Sequence, residues 1–108
     1  GDLMKMIQDF EEALKLGENL FFERKFGRIR VKKELEKKEI NANIIEKVME
    51  KLDPGFEERH IKYIILNKYG RRIFIDQERE KIVRLMIRYG YDADKAVYVL
   101  DCLERAEL

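Results

Sequence analysis

An internal repeat with an offset of 51 residues limits this chain to a narrow set of folds. Residues 33–52 align with residues 84–103 without a gap. In this alignment apolar residues fall on apolar residues, and two polar residues of the turn fall on two polar residues. A period of this size is typical of arrays of helical units whose stacked neighbours share a core. Stacked helices usually make binding surfaces rather than catalytic pockets, so we expect a binding protein. The matched pairs are Leu35 and Met86, Ile40 and Tyr91, Ile45 and Ala96, Val48 and Val99, Met49 and Leu100, Leu52 and Leu103, Asn41 and Asp92, and Asn43 and Asp94.

Apolar periodicity and capping residues predict six helices. Asn41 or Asn43 caps the third helix and Asp92 or Asp94 the sixth, because short polar side chains accept from free N–H groups. Gly17, inside the first helix, is expected to let another backbone approach closely. The other four helices are predicted at about residues 3–25, 28–38, 54–69 and 77–89, and residues 73–75 as a short extended segment.

These elements predict an all-α fold of tandem three-helix repeats, stacked into an elongated, curved bundle. Residues 1–52 would form the first three-helix repeat and residues 53–108 the second. The break between them is Asp53-Pro54-Gly55, in which Asp is a helix cap and Pro suits the first helical position.

Composition sets the class of protein. The chain has 108 residues, of which 45% are hydrophobic and 42% charged, so it can form a packed core. It lacks an apolar run of the roughly 20 residues that span a bilayer, and no signal peptide is visible. A single cysteine, Cys102, cannot form an intramolecular disulfide, which fits a reducing compartment. We expect a soluble cytoplasmic monomer in which this thiol is buried.

The net charge of +1 hides a basic segment at residues 23–33, which holds six cations against Glu23 alone. Such cations suit contacts with phosphates or with an acidic protein. The pattern fits a solvated helix face without a binding role equally well. Phe22 and Phe26 lie beside them and would stack on bases only if exposed. The candidate contact residues are Arg24, Lys25, Arg28, Arg30, Lys32 and Lys33, with a second group at Lys68, Arg71 and Arg72.

The sequence offers no catalytic constellation. His60 is the only histidine, and with no cysteine near it in the sequence and no second histidine it makes no sensible transition-metal site. Adjacent acids point in different directions on a helix, and the glycines are isolated. We therefore predict that the protein is not an enzyme and has no metal or cofactor.

Two stretches carry a resemblance to a known family. Residues 24–40 read RKFGRIRVKKELEKKEI, and residues 88–94 read RYGYDAD. They resemble the RecX family of RecA regulators, whose tandem repeats carry a basic-Gly pair, Arg-Ile, Glu-Leu and an aromatic Arg-Gly turn. The resemblance spans nearly the whole chain, in the order of that family's second and third repeats. Glu39 stands where the family has a turn glycine, so that turn must close without a residue suited to left-handed backbone.

The resemblance implies a function. RecX-like proteins bind RecA–DNA filaments and suppress recombinase ATPase and strand exchange, which places the chain in DNA repair, recombination and the SOS response. Its partners would be the RecA filament and single- or double-stranded DNA, the latter weakly or indirectly, with no membrane. One alternative is a helix-turn-helix DNA-binding module, and another is a scaffold that binds a partner helix.

Overall fold

The structure is a computed structural model that describes residues 1–70 and 76–105. Those residues form helices and no strand, in a body of 57 × 23 × 20 Å, so the predicted elongated all-α bundle is confirmed. None of these helices is long and apolar enough to cross a bilayer. The α-helices are α1 (Asp2–Glu18), α2 (Arg28–Lys37), α3 (Ala42–Lys51), α4 (Glu57–Tyr69), α5 (Asp76–Tyr89) and α6 (Ala93–Glu104).

Equivalent caps begin the last helix of each repeat. The Asn41 side chain accepts from the N–H of Asn43 at 2.8 Å, and the Asp92 side chain accepts from that of Asp94 at 3.0 Å. An N-cap side chain accepts from an N–H two or three residues on, because the first N–H groups of a helix have no intrahelical partner. Asn41 and Asp92 are therefore the caps, and the two alternatives lie inside the helices.

The first helix ends earlier than its periodicity predicts. A π-helical turn at Asn19–Glu23 follows α1, and the Arg24 N–H bonds back to the Asn19 carbonyl at 2.9 Å. Leu20 and Phe21 of this turn are both buried in the core. At the other end of α1, Ile7 is 44% exposed although the periodicity assigns it to the inner face.

Two hydrophobic cores stabilise the bundle. We call α1–α3 the first unit and α4–α6 the second unit. The buried residues of the first core lie between Ala13 and Leu52, and those of the second between Ile61 and Leu100. Tyr89 packs against both. The assignment of residues 1–52 and 53–108 to separate domains stays a prediction.

Gly17 makes room for side chains and not for the backbone that its position predicts. A Cβ added there would lie 2.7 Å from Cγ1 of Val48, so α1 and α3 touch at a point where no other residue fits without movement. The nearest other atoms also belong to side chains, those of Leu52 and Leu35. Cys102 is buried, as predicted.

The turn between the last two helices of each unit uses left-handed backbone at the same repeat position. Gly90 has a φ of 100° and Glu39, 51 residues earlier, has a φ of 58°. The first turn thus closes without a glycine, as the sequence requires. Glu39 adopts the conformation itself, at a cost of about 1 kcal/mol for a residue with a side chain.

A candidate anion-binding surface across the junction

The two units meet where one helix ends and another begins. The N–H of Gly27 donates to the carbonyl of Tyr89 at 2.8 Å, and the N–H of Ile29 donates to that of Gly90 at 3.2 Å. The first N–H groups of α2 thus find partners at the end of α5, where helix carbonyls are otherwise free. The opposite partial charges of the two helix ends also attract each other. We call this contact the junction.

Gly27 is essential to the junction because of space rather than backbone freedom. A Cβ on this residue would lie 2.2 Å from the Gly90 carbonyl oxygen and 2.7 Å from the Tyr91 nitrogen. Its φ of −71° suits any residue. Its role is to let two backbones touch.

Three members of the predicted basic segment bind carbonyls of the chain itself, and one of them is Arg30, whose guanidinium donates to the carbonyl of Arg88 at 3.2 Å. The other two are Arg28 and Lys25. The Arg28 guanidinium donates to the carbonyls of Met49 and Leu52, at 2.8 and 2.6 Å, and so closes the end of α3. The Lys25 ammonium donates to the Phe22 carbonyl at 2.9 Å and lies 4.9 Å from the centre of a tyrosine ring in α4. Both side chains are half-buried, so their first role is structural.

Phe26 forms the floor beneath two arginines. The guanidinium carbon of Arg30 lies 3.8 Å from the centre of its ring and that of Arg24 lies 4.9 Å away. The ring is only 5% exposed and packs edge-on against Tyr89, with centroids 5.5 Å apart. Phe26 is therefore a core residue and no base-stacking platform. Its cation–π contacts hold the arginines above the junction.

The neighbouring lysines of α2 diverge. Lys33 lines an open depression that spans the junction, together with Ile29 of α2 and Arg88 of α5. Lys32 lines a different depression between α2 and α3, beside Glu36. Consecutive residues on a helix are about 100° apart, so the packing of α2 places only one of the two on the junction side.

α5 contributes cations that the sequence analysis did not select. Lys81, Arg84 and Arg88 line a second depression, which shares Ile87 and Arg88 with the first. Their spacing of three and four residues places them on one helix face. The same spacing recurs in α2. We call the combined set the cation row, which consists of Lys81, Arg84 and Arg88 from α5 and Arg30, Lys33 and Lys37 from α2.

The 51-residue repeat contains the signal that would have found the row. Shifted by this offset, Arg30 falls on Lys81, Lys33 on Arg84 and Lys37 on Arg88. The repeat was recognised above from its apolar and turn positions alone. The basic residues of α5 alternate with acidic and apolar residues in the sequence, so they do not form a basic run.

The acids near the row neutralise it only in part. Glu34 lies 3.7 Å from Arg30 and 3.6 Å from Lys37, and Glu80 lies 4.0 Å from Arg84. Exposed pairs of this length contribute little, and salt screens them. Within residues 1–70 and 76–105, Lys33 and Arg88 form no ion pair. The centre of the row is thus its most strongly positive part.

Exposed apolar side chains lie within the row. Ile29 is 51% exposed and Ile87 is 50% exposed, and both line the depression that crosses the junction. Isolated exposed apolar residues are ordinary, but here two from different units lie among cations. This combination suits a partner that is anionic and also offers apolar surface.

Of the second predicted basic group, the structure describes only Lys68. Lys68 is exposed in the last turn of α4 and does not line either depression of the row. Arg71 and Arg72 lie outside the described residues, as does the extended segment predicted at residues 73–75. Their part in binding stays a prediction.

His60 lies in an aromatic cluster with Phe21, Phe22 and Phe56, whose ring centroids are 5.0 to 6.1 Å away. It is 7% exposed, and its Nδ1 has no hydrogen-bond partner among the described residues. Burial lowers the pKa of His60, and the positive charge of Lys25 lowers it further. In the described part of the chain, no group of three or more His, Cys, Asp or Glu side chains is placed to hold a metal ion.

Comparison of the chain with protein-family models, curated proteins and solved structures gave no match. The resemblance to the RecX family therefore stays a prediction that rests on the residues quoted above.

Proposed function

We propose that this chain is a non-enzymatic regulator that binds a RecA–DNA filament and inhibits the recombinase ATPase and strand exchange. The family resemblance of residues 24–40 and 88–94 suggests the partner. The observation that supports binding is the cation row, which both units build at equivalent repeat positions.

The row matches such a partner in charge and in shape. A nucleoprotein filament carries regularly spaced phosphates, and Lys and Arg neutralise phosphates with the release of bound counterions. The row extends over two helices that meet end to end in an elongated body, so it can follow a repeating partner rather than a single point. A surface of this kind binds and needs no reacting group.

The helix-turn-helix alternative has less support. Its reading helix would be α3, whose exposed Glu46 and Glu50 balance Lys47 and Lys51. A helix that enters a groove lined with phosphates benefits from a positive surface. The row on α2 and α5 meets this requirement and α3 does not. No specific contact favours the alternative in which the chain is a scaffold for a partner helix.

The test is DNA-dependent ATP hydrolysis by RecA as the full chain is titrated in. We expect inhibition, and we expect Lys33→Glu with Arg88→Glu to weaken it at least about tenfold, which corresponds to about 1.4 kcal/mol. The matched control is Lys47→Glu with Lys51→Glu, which makes the same change of charge on exposed residues of α3 and should leave inhibition intact. Absence of inhibition by the folded unmodified chain would overturn the proposal.

The positions tested are not those that the sequence favours. From the linear pattern, Lys25 and Arg28 are the obvious choice for charge reversal. A glutamate at Arg28 would place a carboxylate against the carbonyls of Met49 and Leu52, and would unfold the end of α3. Lost binding would then report lost structure. Lys33 and Arg88 avoid this ambiguity because both are exposed.

A further inference from the structure

We propose that the cation row binds the phosphate backbone of one single nucleic-acid strand, which runs from α5 across the junction onto α2. This inference rests on the proposed function, since a recombinase filament carries such a strand. It goes further, because it names the group that the row contacts and the part of the chain that each end of the strand occupies.

The width of the row indicates a single strand. In both helices the cations follow one another along one face, and the two depressions are joined through Ile87 and Arg88. The two phosphate chains that border a major groove are about 12 Å apart, so a duplex would call for two separated rows. Within the described residues each helix contributes one file of cations, and Arg24 lies beside Arg30 over the same Phe26 ring rather than in a second row.

The apolar residues of the row indicate unpaired bases. Ile29 and Ile87 are about half exposed on the floor between Lys33 and Arg88. A single strand presents the apolar faces of its bases, whereas a duplex buries them in its stack. An acidic protein segment would neutralise the row equally well but offers no such faces beside each charge.

The length of the row sets the length of strand that it covers. Residues 81–89 of α5 and 28–37 of α2 together extend about 28 Å at 1.5 Å per residue. A stacked strand advances about 3.4 Å per phosphate, so the row covers roughly eight nucleotides, and fewer if the strand is stretched. The half on each unit covers about four.

The two halves act together because the junction joins the end of α5 to the start of α2. A strand held by α5 brings its next phosphates to α2 at a high effective concentration, so affinity rises steeply once the strand spans both halves. The junction contacts of Gly27 with Tyr89 and Gly90 therefore govern binding as well as folding.

The experiment measures fluorescence anisotropy of the full chain with oligothymidylates of 4 to 16 nucleotides and no recombinase. We expect affinity to rise steeply up to about eight nucleotides and slowly beyond. Lys33→Glu with Arg88→Glu should weaken binding at least about tenfold and lower the salt slope by roughly 1.4, at about 0.7 per lost phosphate contact. Lys47→Glu with Lys51→Glu should change neither value.

Two competitors decide the class of ligand. A duplex of equal length and a polyglutamate of equal charge should both compete at least about tenfold less well than the single strand. Equal competition by either one would overturn the inference, and so would an affinity that ignores oligonucleotide length. If the unmodified chain inhibits the ATPase but does not bind the single strand, this inference alone is overturned. Strand binding without ATPase inhibition would overturn the proposed function alone.

Discussion

Glu57 and His60, three residues apart on α4, are both 7% exposed, yet they differ in how their polar atoms are satisfied. The Glu57 carboxylate accepts from the N–H of Arg28 and from the Lys95 ammonium, each at 3.0 Å. His60 Nδ1 has no such partner among the described residues. A buried charge is tolerated when it is paired, so Glu57 stabilises the contact between units, whereas a charged His60 would weaken it.

His60 makes stability depend on pH in a predictable direction. Burial, Lys25 and Arg59 lower its pKa below 6.5 in the folded state, against a smaller opposing effect of Glu57. The unfolded chain therefore binds the proton more readily, and stability falls as pH falls from about 6.5 towards the folded pKa. We expect the loss in Tm between pH 7.5 and pH 5 to be smaller in His60→Phe than in the unmodified chain. Since the chain has one histidine, an unchanged loss would mean that other groups cause it.

At the scale of the element, α2 is held at its start by residues far away in the sequence. The N–H groups at its start donate to carbonyls at the end of α5 and to the Glu57 carboxylate. Its first side chain, that of Arg28, donates to a carbonyl at the end of α3. Its own cap residue, Gly27, has no side chain to offer. The start of this helix is thus visible in the sequence only as a glycine, and its stabilising contacts come from both units.

Arg28→Gln tests this structural role. The substitution removes the charge that binds the carbonyls of Met49 and Leu52, and we expect the free energy of unfolding to fall by about 2 kcal/mol, the usual range for a lost charged hydrogen bond. Urea denaturation measures it. Lys32→Gln, an exposed cation on the same helix, is the control and should change stability by less than about 0.5 kcal/mol. Equal losses of unfolding free energy in the two variants would show that the bonds from Arg28 to the end of α3 do not stabilise the protein.

At the scale of the whole molecule, the junction decides whether two small cores unfold together. Each core is formed by three helices, and between them lie the shared Tyr89, the buried Phe26 and the hydrogen bond from the Tyr91 hydroxyl to the Lys25 carbonyl. Small cores are individually marginal because a short chain buries a smaller share of its surface. The contact between units is therefore a large part of the stability of both.

Gly27→Ala should separate the two cores. The added methyl group would overlap the Gly90 carbonyl, and since the neighbouring atoms are backbone they cannot yield as a side chain would. We expect a loss of at least about 2 kcal/mol and a calorimetric transition that broadens or splits in two. Gly55→Ala is the matched control, because its Cβ would meet only the Asp53 side chain, at 3.1 Å. A single sharp transition at the unmodified Tm would refute this role of the junction.

The sequence by itself determined the six helices and the candidate caps at Asn41 and Asp92, since these follow from local periodicity and from side chains that bond two residues away. It also determined most of the inner faces, with Ile7 as an exception. Its repeat also contained the matched cations of α2 and α5. Only the tertiary structure decided which cations face a partner. Arg28 differs from Lys33 because its carbonyl partners lie 21 and 24 residues away, and the row is continuous because Gly27 reaches Tyr89 across the junction. Such distant contacts depend on how the helices pack, and a local pattern carries no information about that packing.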